Sequence, residues 1–210
     1  MSAFTIVNDI TLELRRRMFR SLTSASGVTL GYTDEVSNIV LSPVQDTPPA
    51  NAKLSLYLYH IGLNSNLRNQ RMLAGATADE QRLPPLPLEL RYLATPLEDE
   101  QNNQLVLSRL LQFIYDQPQI SSLNAQPLDD SFGGASSKLR ITPDLMAVDQ
   151  LSQLWNAFKQ PFRLSMAFMV DVVAIDSAKA PRVAPRVVDV LAVAGAARRF
   201  ARGQKAGGLV

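Results

Sequence analysis

Hydrophobic positions along the chain change period several times, and each change marks an element. Ile6, Ile10, Leu14, Met18 and Leu22 recur four residues apart, with Val7 beside them. That spacing predicts an amphipathic helix over residues 3–22, with Ser2 as its N-cap and its arginines turned outward. Residues 54–59 alternate instead, with Leu54, Leu56 and Leu58 set against Ser55, Tyr57 and Tyr59. A period of two predicts a strand with one buried face, placed here at the centre of a sheet. From Gly62 the alternation stops, and Asn64, Asn66, Arg68 and Asn69 predict a polar loop at the strand's end.

Two short β-leaning pieces, 28–32 and 37–41, precede that strand, and a linker holding Pro43, Pro48 and Pro49 separates them from it. Residues 69–82 lack a period and read as an exposed connection. Leu86, Leu88, Leu90 and Tyr92 then predict a second core strand, its prolines confined to the entrance. Leu107, Leu110, Leu111 and Ile114, with Phe113 adjacent, predict a helix over 99–115 that Pro118 ends. Residues 116–137 read mostly as loop.

Residues 139–141 predict a short strand running into Thr142-Pro143-Asp144, a helix start with a hydroxyl cap and proline at the first position. The helix continues through Leu145, Val148, Leu151, Leu154, Trp155 and Phe158, and its aromatic stripe reads as core rather than as a cofactor box. A long mid-sheet strand follows over 162–175, with Leu164, Met166, Phe168, Val170 and Val172 on one face. Residues 186–193 read as a last strand and 194–210 as a small, basic arm. Interspersed helices and strands of this kind predict an α+β fold, in which a mixed, mostly antiparallel sheet carries two or three helices packed on one face. Residues 1–176 form the main domain in this reading, and 177–210 a C-terminal strand and flexible arm.

Composition narrows the function. Hydrophobic residues make up 46% of the 210 and charged residues 19%, an ordinary globular balance. The absence of cysteine excludes disulfides, thiolate metal sites and cysteine nucleophiles, and fits a reducing compartment. No stretch approaches the ~20 apolar residues of a membrane span, and the first residues lack a basic start followed by an apolar run, so a soluble chain is expected. A net charge of +2 is too small to imply a nucleic-acid partner through the overall field. The basic residues nevertheless cluster, in Arg15-Arg16-Arg17 with Arg20 and in Arg198, Arg199, Arg202 and Lys205. The first cluster reads as a solvated helix face, with a binding patch as the alternative.

Catalytic constellations fail one after another. There is no phosphate loop, dinucleotide fingerprint, nucleophile elbow or H-E-x-x-H pair. A serine triad would have to use His60, the sole histidine, which reads as half-buried and hydrogen-bonded at a strand end. Glu98, Asp99 and Glu100 are ordinary partners for a helix N-terminus, and Asp129-Asp130 lacks the further oxygen ligands a calcium loop needs. The chain therefore reads as non-enzymatic, with no cofactor, metal or small-molecule substrate.

One combination of pieces is specific. Leu56-Tyr57-Leu58-Tyr59-His60 followed by Asn64 and Arg68-Asn69, then Pro84-Pro85-Leu86-Pro87-Leu88-Glu89-Leu90-Arg91-Tyr92-Leu93-Ala94-Thr95, then Leu154-Trp155 and Pro161-Phe162-Arg163-Leu164-Ser165 appear in order. Together they resemble the tube-terminating cap proteins of extracellular contractile injection systems, which are phage-tail-like particles, and in particular their N-terminal domain. The resemblance runs from the first helix to about residue 176 and implies a tail-terminator-like fold. It further implies a homo-oligomeric ring, a hexamer, seated on the last layer of the inner tube. Such a ring stops tube elongation, contacts the last sheath layer, assembles in the cytoplasm as part of the particle and inserts in no membrane. Asn64, Arg68 and Asn69 would then form a subunit contact, with Arg68 making forked bonds to a neighbour, or else tying the loop to its own domain. Arg15, Arg16, Arg198 and Arg199 complete the candidate interface residues. The alternative is a phage-type tail terminator or head-tail joining protein near DNA.

Overall fold

The computed structural model describes residues 3–25, 27–65, 72–74, 80–123, 126–128, 139–180 and 182–183. After a single 3-10 turn, Ala3–Thr5, the first helix, α1, runs Ile6–Thr23. A short helix, α2, follows at Glu35–Asn38, then the strands β1 Ile39–Val40, β2 Leu54–Leu63, β3 Leu73–Ala74, β4 Glu80–Arg82 and β5 Leu86–Pro96. Helix α3, Glu100–Asp116, leads to β6 Gln119–Ile120, β7 Ser122–Leu123, β8 Gln126–Pro127 and β9 Leu139–Pro143. Helix α4, Val148–Phe158, and the strands β10 Met166–Ile175 and β11 Arg182–Val183 complete the described elements.

Six strands form the main sheet in the order β1-β2-β5-β10-β9-β6, parallel between β1 and β2 and antiparallel elsewhere. The expected mixed, mostly antiparallel sheet is thus present. Its centre, however, is β5 with β10, and β2 lies one strand from an edge rather than in the middle. Strand β2 also runs past Gly62, because β5 offers partners as far as Leu88, which pairs Leu63. Pairing with a neighbour here outweighs the local change of pattern.

Alternation along the central strands sends side chains to two cores. On one face Leu88, Leu90, Tyr92 and Ala94 of β5 and Phe168, Val170 and Val173 of β10 meet Ile10, Leu14, Met18 and Leu22 of α1 and Val106, Leu110 and Phe113 of α3. Tyr92 and Phe168 stack there, with centroids 5.3 Å apart and rings inclined by 10°. On the other face Leu93 and Ala167 join Val44 and Trp155, the last brought by α4. Helices α1 and α3 therefore pack on one face as the pattern predicts, and α4 covers the opposite face. Trp155, 1% exposed, is core.

The remaining differences have local causes. Residues 28–32 form no strand, although Leu30 and Tyr32 are buried, because Gly31 turns into the left-handed region at φ 66°. Residues 35–38 are helical because the Asp34 side chain accepts from the Ser37 N–H at 2.8 Å, an N-cap at the head of a single turn. Helix α1 begins beyond Thr5, whose hydroxyl donates to Asp9 at 2.8 Å.

Thr142 and Pro143 do not open a helix. They end β9, paired with Met169 and Phe168 of β10, and α4 starts at Val148 behind Ala147. The long strand β10 starts at Met166, leaving Phe162 and Leu164 half exposed. A bulge between Val170 and Val173 then shifts its alternation, so that Val173 lines the main core. The expected loop 116–137 contains β6, β7 and β8, and the expected connection 69–82 contains β3 and β4. The predicted strand 186–193, the arm 194–210, Asp129-Asp130 and Ser2 lie outside the described residues. No described helix is long and apolar enough to cross a membrane.

Candidate interface sites

The corner at the end of β2 begins with a second bulge, where Leu58 faces Tyr92 and His60 already faces Arg91. His60 is exposed on this strand rather than half-buried. Asn64, half-buried, continues the edge by donating its backbone N–H to the Pro87 carbonyl at 3.1 Å. Arg68 and Asn69 lie outside the described residues. Strand β1 pairs only Leu54 and Ser55, so among the described residues no strand adjoins the outer edge of β2 from Leu56 to Leu63. Ile61 and Leu63 stand on that unflanked stretch of β2, each 52% exposed.

Beside this corner a polar cluster occupies the sheet. The Arg91 guanidinium donates from Nε to Glu89 Oε1 at 2.6 Å and from Nη1 to Asp144 Oδ2 at 3.1 Å. The Tyr59 hydroxyl donates to the same Asp144 oxygen at 3.2 Å. Burial and the Asp144 charge push the Tyr59 pKa up to about 12. Asp171, paired in register with Arg140, is raised above the ordinary carboxylate value by burial, and further by the Glu89 charge. Among the described residues no group of three acid, histidine or cysteine side chains is placed to hold a metal. The network instead pins the connection ahead of α4 to the sheet.

The α1 arginines do not form a free solvated face. Glu13, 6% exposed, accepts from Arg16 Nη1 at 2.7 Å and from Arg17 Nε at 2.8 Å, the pairs three and four residues on that a helix brings together. Arg15 donates to Glu35 at 3.1 Å, and Arg17 reaches the Gln119 carbonyl at 3.3 Å. Arg20 is exposed. Arg198 and Arg199 lie outside the described residues, and of the described candidates Arg15 and Arg16 pair with Glu35 and Glu13 while Asn64 stands at the β2 corner. Glu13 was missed by reading the arginines alone, although its spacing from Arg16 and Arg17 signals the pairs.

Reading by periodicity also missed an apolar groove of about 490 Å³ between α3 and the connection into α4. Leu107 and Leu111 of α3 face Leu145, Met146 and Leu164 across it. Leu145 is 95% exposed, and Ser165 Oγ in the same groove is buried with no hydrogen-bond partner among the described residues. The groove exposes contiguous apolar surface of the kind that protein contacts commonly cover.

The family model of the Pvc16 N-terminal domain matches residues 9–189. Among solved structures the fold is similar to the sheath/tube terminator of PVC, an extracellular contractile injection system, in its extended state. That similarity has a TM-score of 0.53 at 17% identity and covers 95% of this chain and 65% of the other. The tube-terminating cap of the anti-feeding prophage aligns with a TM-score of 0.49 at 19% identity, over 85% of this chain and 59% of that one. The chain thus spans about two thirds or less of the length of the solved proteins it matches. No curated protein sequence matches significantly. With 9–189 matched, the chain belongs to the Pvc16 N-terminal domain family.

Proposed function

We propose that this chain is a structural terminator of a contractile injection particle. In this reading a ring of identical subunits, a hexamer, sits on the last layer of the inner tube, stops its elongation and contacts the last sheath layer. The observation that carries the reading is family membership across residues 9–189. The open β2 edge and the apolar groove support it, since a ring needs repeated contacts and a cap must grip a tube end. The role is non-enzymatic, the corner from Asn64 to Asn69 serves as a subunit contact, and the chain is built into the particle in the cytoplasm.

Electron microscopy of the purified protein with and without its tube protein tests this. Rings on tube ends are expected, and a protein that stays monomeric and never decorates those ends rules the reading out. Particles lacking the gene should have uncontrolled tube lengths; uniform lengths would argue against termination. The phage-type reading near DNA loses support from α1, because carboxylates take up Arg15, Arg16 and Arg17 within the subunit.

A further inference from the structure

We propose that a cleft between the end of α1 and the C-terminal half of α3 is a docking site for an acidic side chain of a protein partner. The cleft encloses about 460 Å³ and is lined by Arg17, Arg20 and Arg109 together with Glu13 and Asp116. Three guanidinium groups therefore face two carboxylates. Glu13 is already engaged by Arg16 and Arg17.

The other two arginines remain available. Arg109 is held in place by its Nε, which donates to the Ser21 carbonyl at 3.0 Å, and by its Nη1, which donates to Gln112 Oε1 at 2.8 Å. Among the described residues its Nη2 has only a long bond, 3.4 Å, to Ser24 Oγ. Arg20, exposed in the last turn of α1, pairs with no carboxylate among the described residues. One arginine is thus fixed by backbone and neighbour while offering an edge, and a second is free to swing onto the same ligand. A carboxylate suits such a pair, because each guanidinium presents parallel donors that match its two oxygens.

Protein rather than nucleic acid fits the rest of the lining. A phosphate chain crossing the cleft would pass Glu13 and Asp116, and Phe113, 4% exposed, offers no face for a base to stack on. A single Asp or Glu side chain needs to meet only the Arg20 and Arg109 guanidinium groups. The cleft lies within one subunit, so the proposal stands or falls independently of the ring reading.

The test follows arginine Nε–H signals of the full ¹⁵N-labelled chain by NMR during titration with a hexaglutamate peptide. A parallel titration uses an oligothymidylate of equal charge. The Arg20 and Arg109 signals should move with the peptide, more weakly as salt is raised, and Arg20→Ala should lower peptide affinity about tenfold. Arg109→Ala also strips a bond from Ser21, so Arg20→Ala, at an exposed position without an internal acid, is the decisive variant. Unchanged affinity in Arg20→Ala overturns the proposal. So does an oligonucleotide that moves the same signals at lower concentration than the peptide.

Discussion

The hydroxyls of Thr11 on α1 and Tyr92 on β5 meet at 2.8 Å in the main core, 81 positions apart in the chain. Thr11 also donates to the Val7 carbonyl at 2.9 Å, which uses its single proton, so Tyr92 must be the donor between the two. The pair is therefore asymmetric. Thr11→Val strands a buried phenol donor and should cost about 1–3 kcal/mol, whereas Tyr92→Phe leaves Thr11 bonded and should cost about 1 kcal/mol or less. Urea unfolding of both variants checks the order, and equal losses would contradict this assignment of donor and acceptor.

High pH should expose the same residue. Burial raises the Tyr92 pKa to about 12 from an ordinary 10.0, Tyr59 rises to about 12, and Tyr32 is raised further by burial and by the Glu98 charge. A phenol whose native pKa exceeds its unfolded value favours the native state while protonated. That stability is complete below pH 10.0 and is lost as the pH climbs from 10.0 towards 12. Thermal melts between pH 8 and 11.5 should show a plateau and then a fall, with the tyrosinate absorbance of these three residues delayed until unfolding.

Glu13→Ala should destabilise the end of α1 by about 1–3 kcal/mol, since it leaves two half-buried guanidinium groups without their carboxylate. Arg16→Ala, which removes one partner and leaves Arg17 in place, should cost less. Chemical denaturation distinguishes the two, and a neutral Glu13→Ala would show that the pairs contribute nothing net.

Asp171→Asn should stabilise the protein near neutral pH. The native carboxyl resists ionisation through burial and the Glu89 charge, so the ionised form is penalised once the pH exceeds its ordinary 3.8. The advantage of the variant in melting temperature should grow on going from pH 3 to 7.

The sole tryptophan, Trp155, reports on α4, because it is buried against Leu93 and Ala167 on the second face. Its emission should be blue-shifted in the native state. Trp155→Ala should cost about 3–5 kcal/mol by leaving a cavity. Emission at the exposed wavelength in native buffer would contradict the packing of α4.

The elements most legible in the sequence were those whose pattern is local and long. Ile10, Leu14 and Met18 announced α1, and Asp99, whose side chain accepts from the Asn102 N–H at 2.9 Å, announced α3 within a residue. Thr142-Pro143 misled because a good helix start was also a good strand end, and β10 supplied partners that α4 did not need. Pairing partners are invisible in one sequence, so the rank of β2 within the sheet and the side chosen by α4 could not be read. At the candidate site the arginines of α1 were visible, but the groove along α3 depends on segments that meet only after folding. Leu107 and Leu164 carry no mark of each other in the chain.

The two bulges flank one strand. Between Leu58 and His60, β2 takes two steps while β5 takes one, and between Val170 and Val173, β10 takes three while β5 takes two. Central β5 is thus clamped between neighbours that each carry one surplus residue, like a key cut on both edges. Sliding either neighbour by a single position would misplace its surplus residue and also turn its apolar side chains to the wrong core. Alignment of these three strands is therefore all-or-nothing, and a one-residue deletion at Glu89 within β5, which shifts its register against both neighbours, should disturb folding far more than a substitution there.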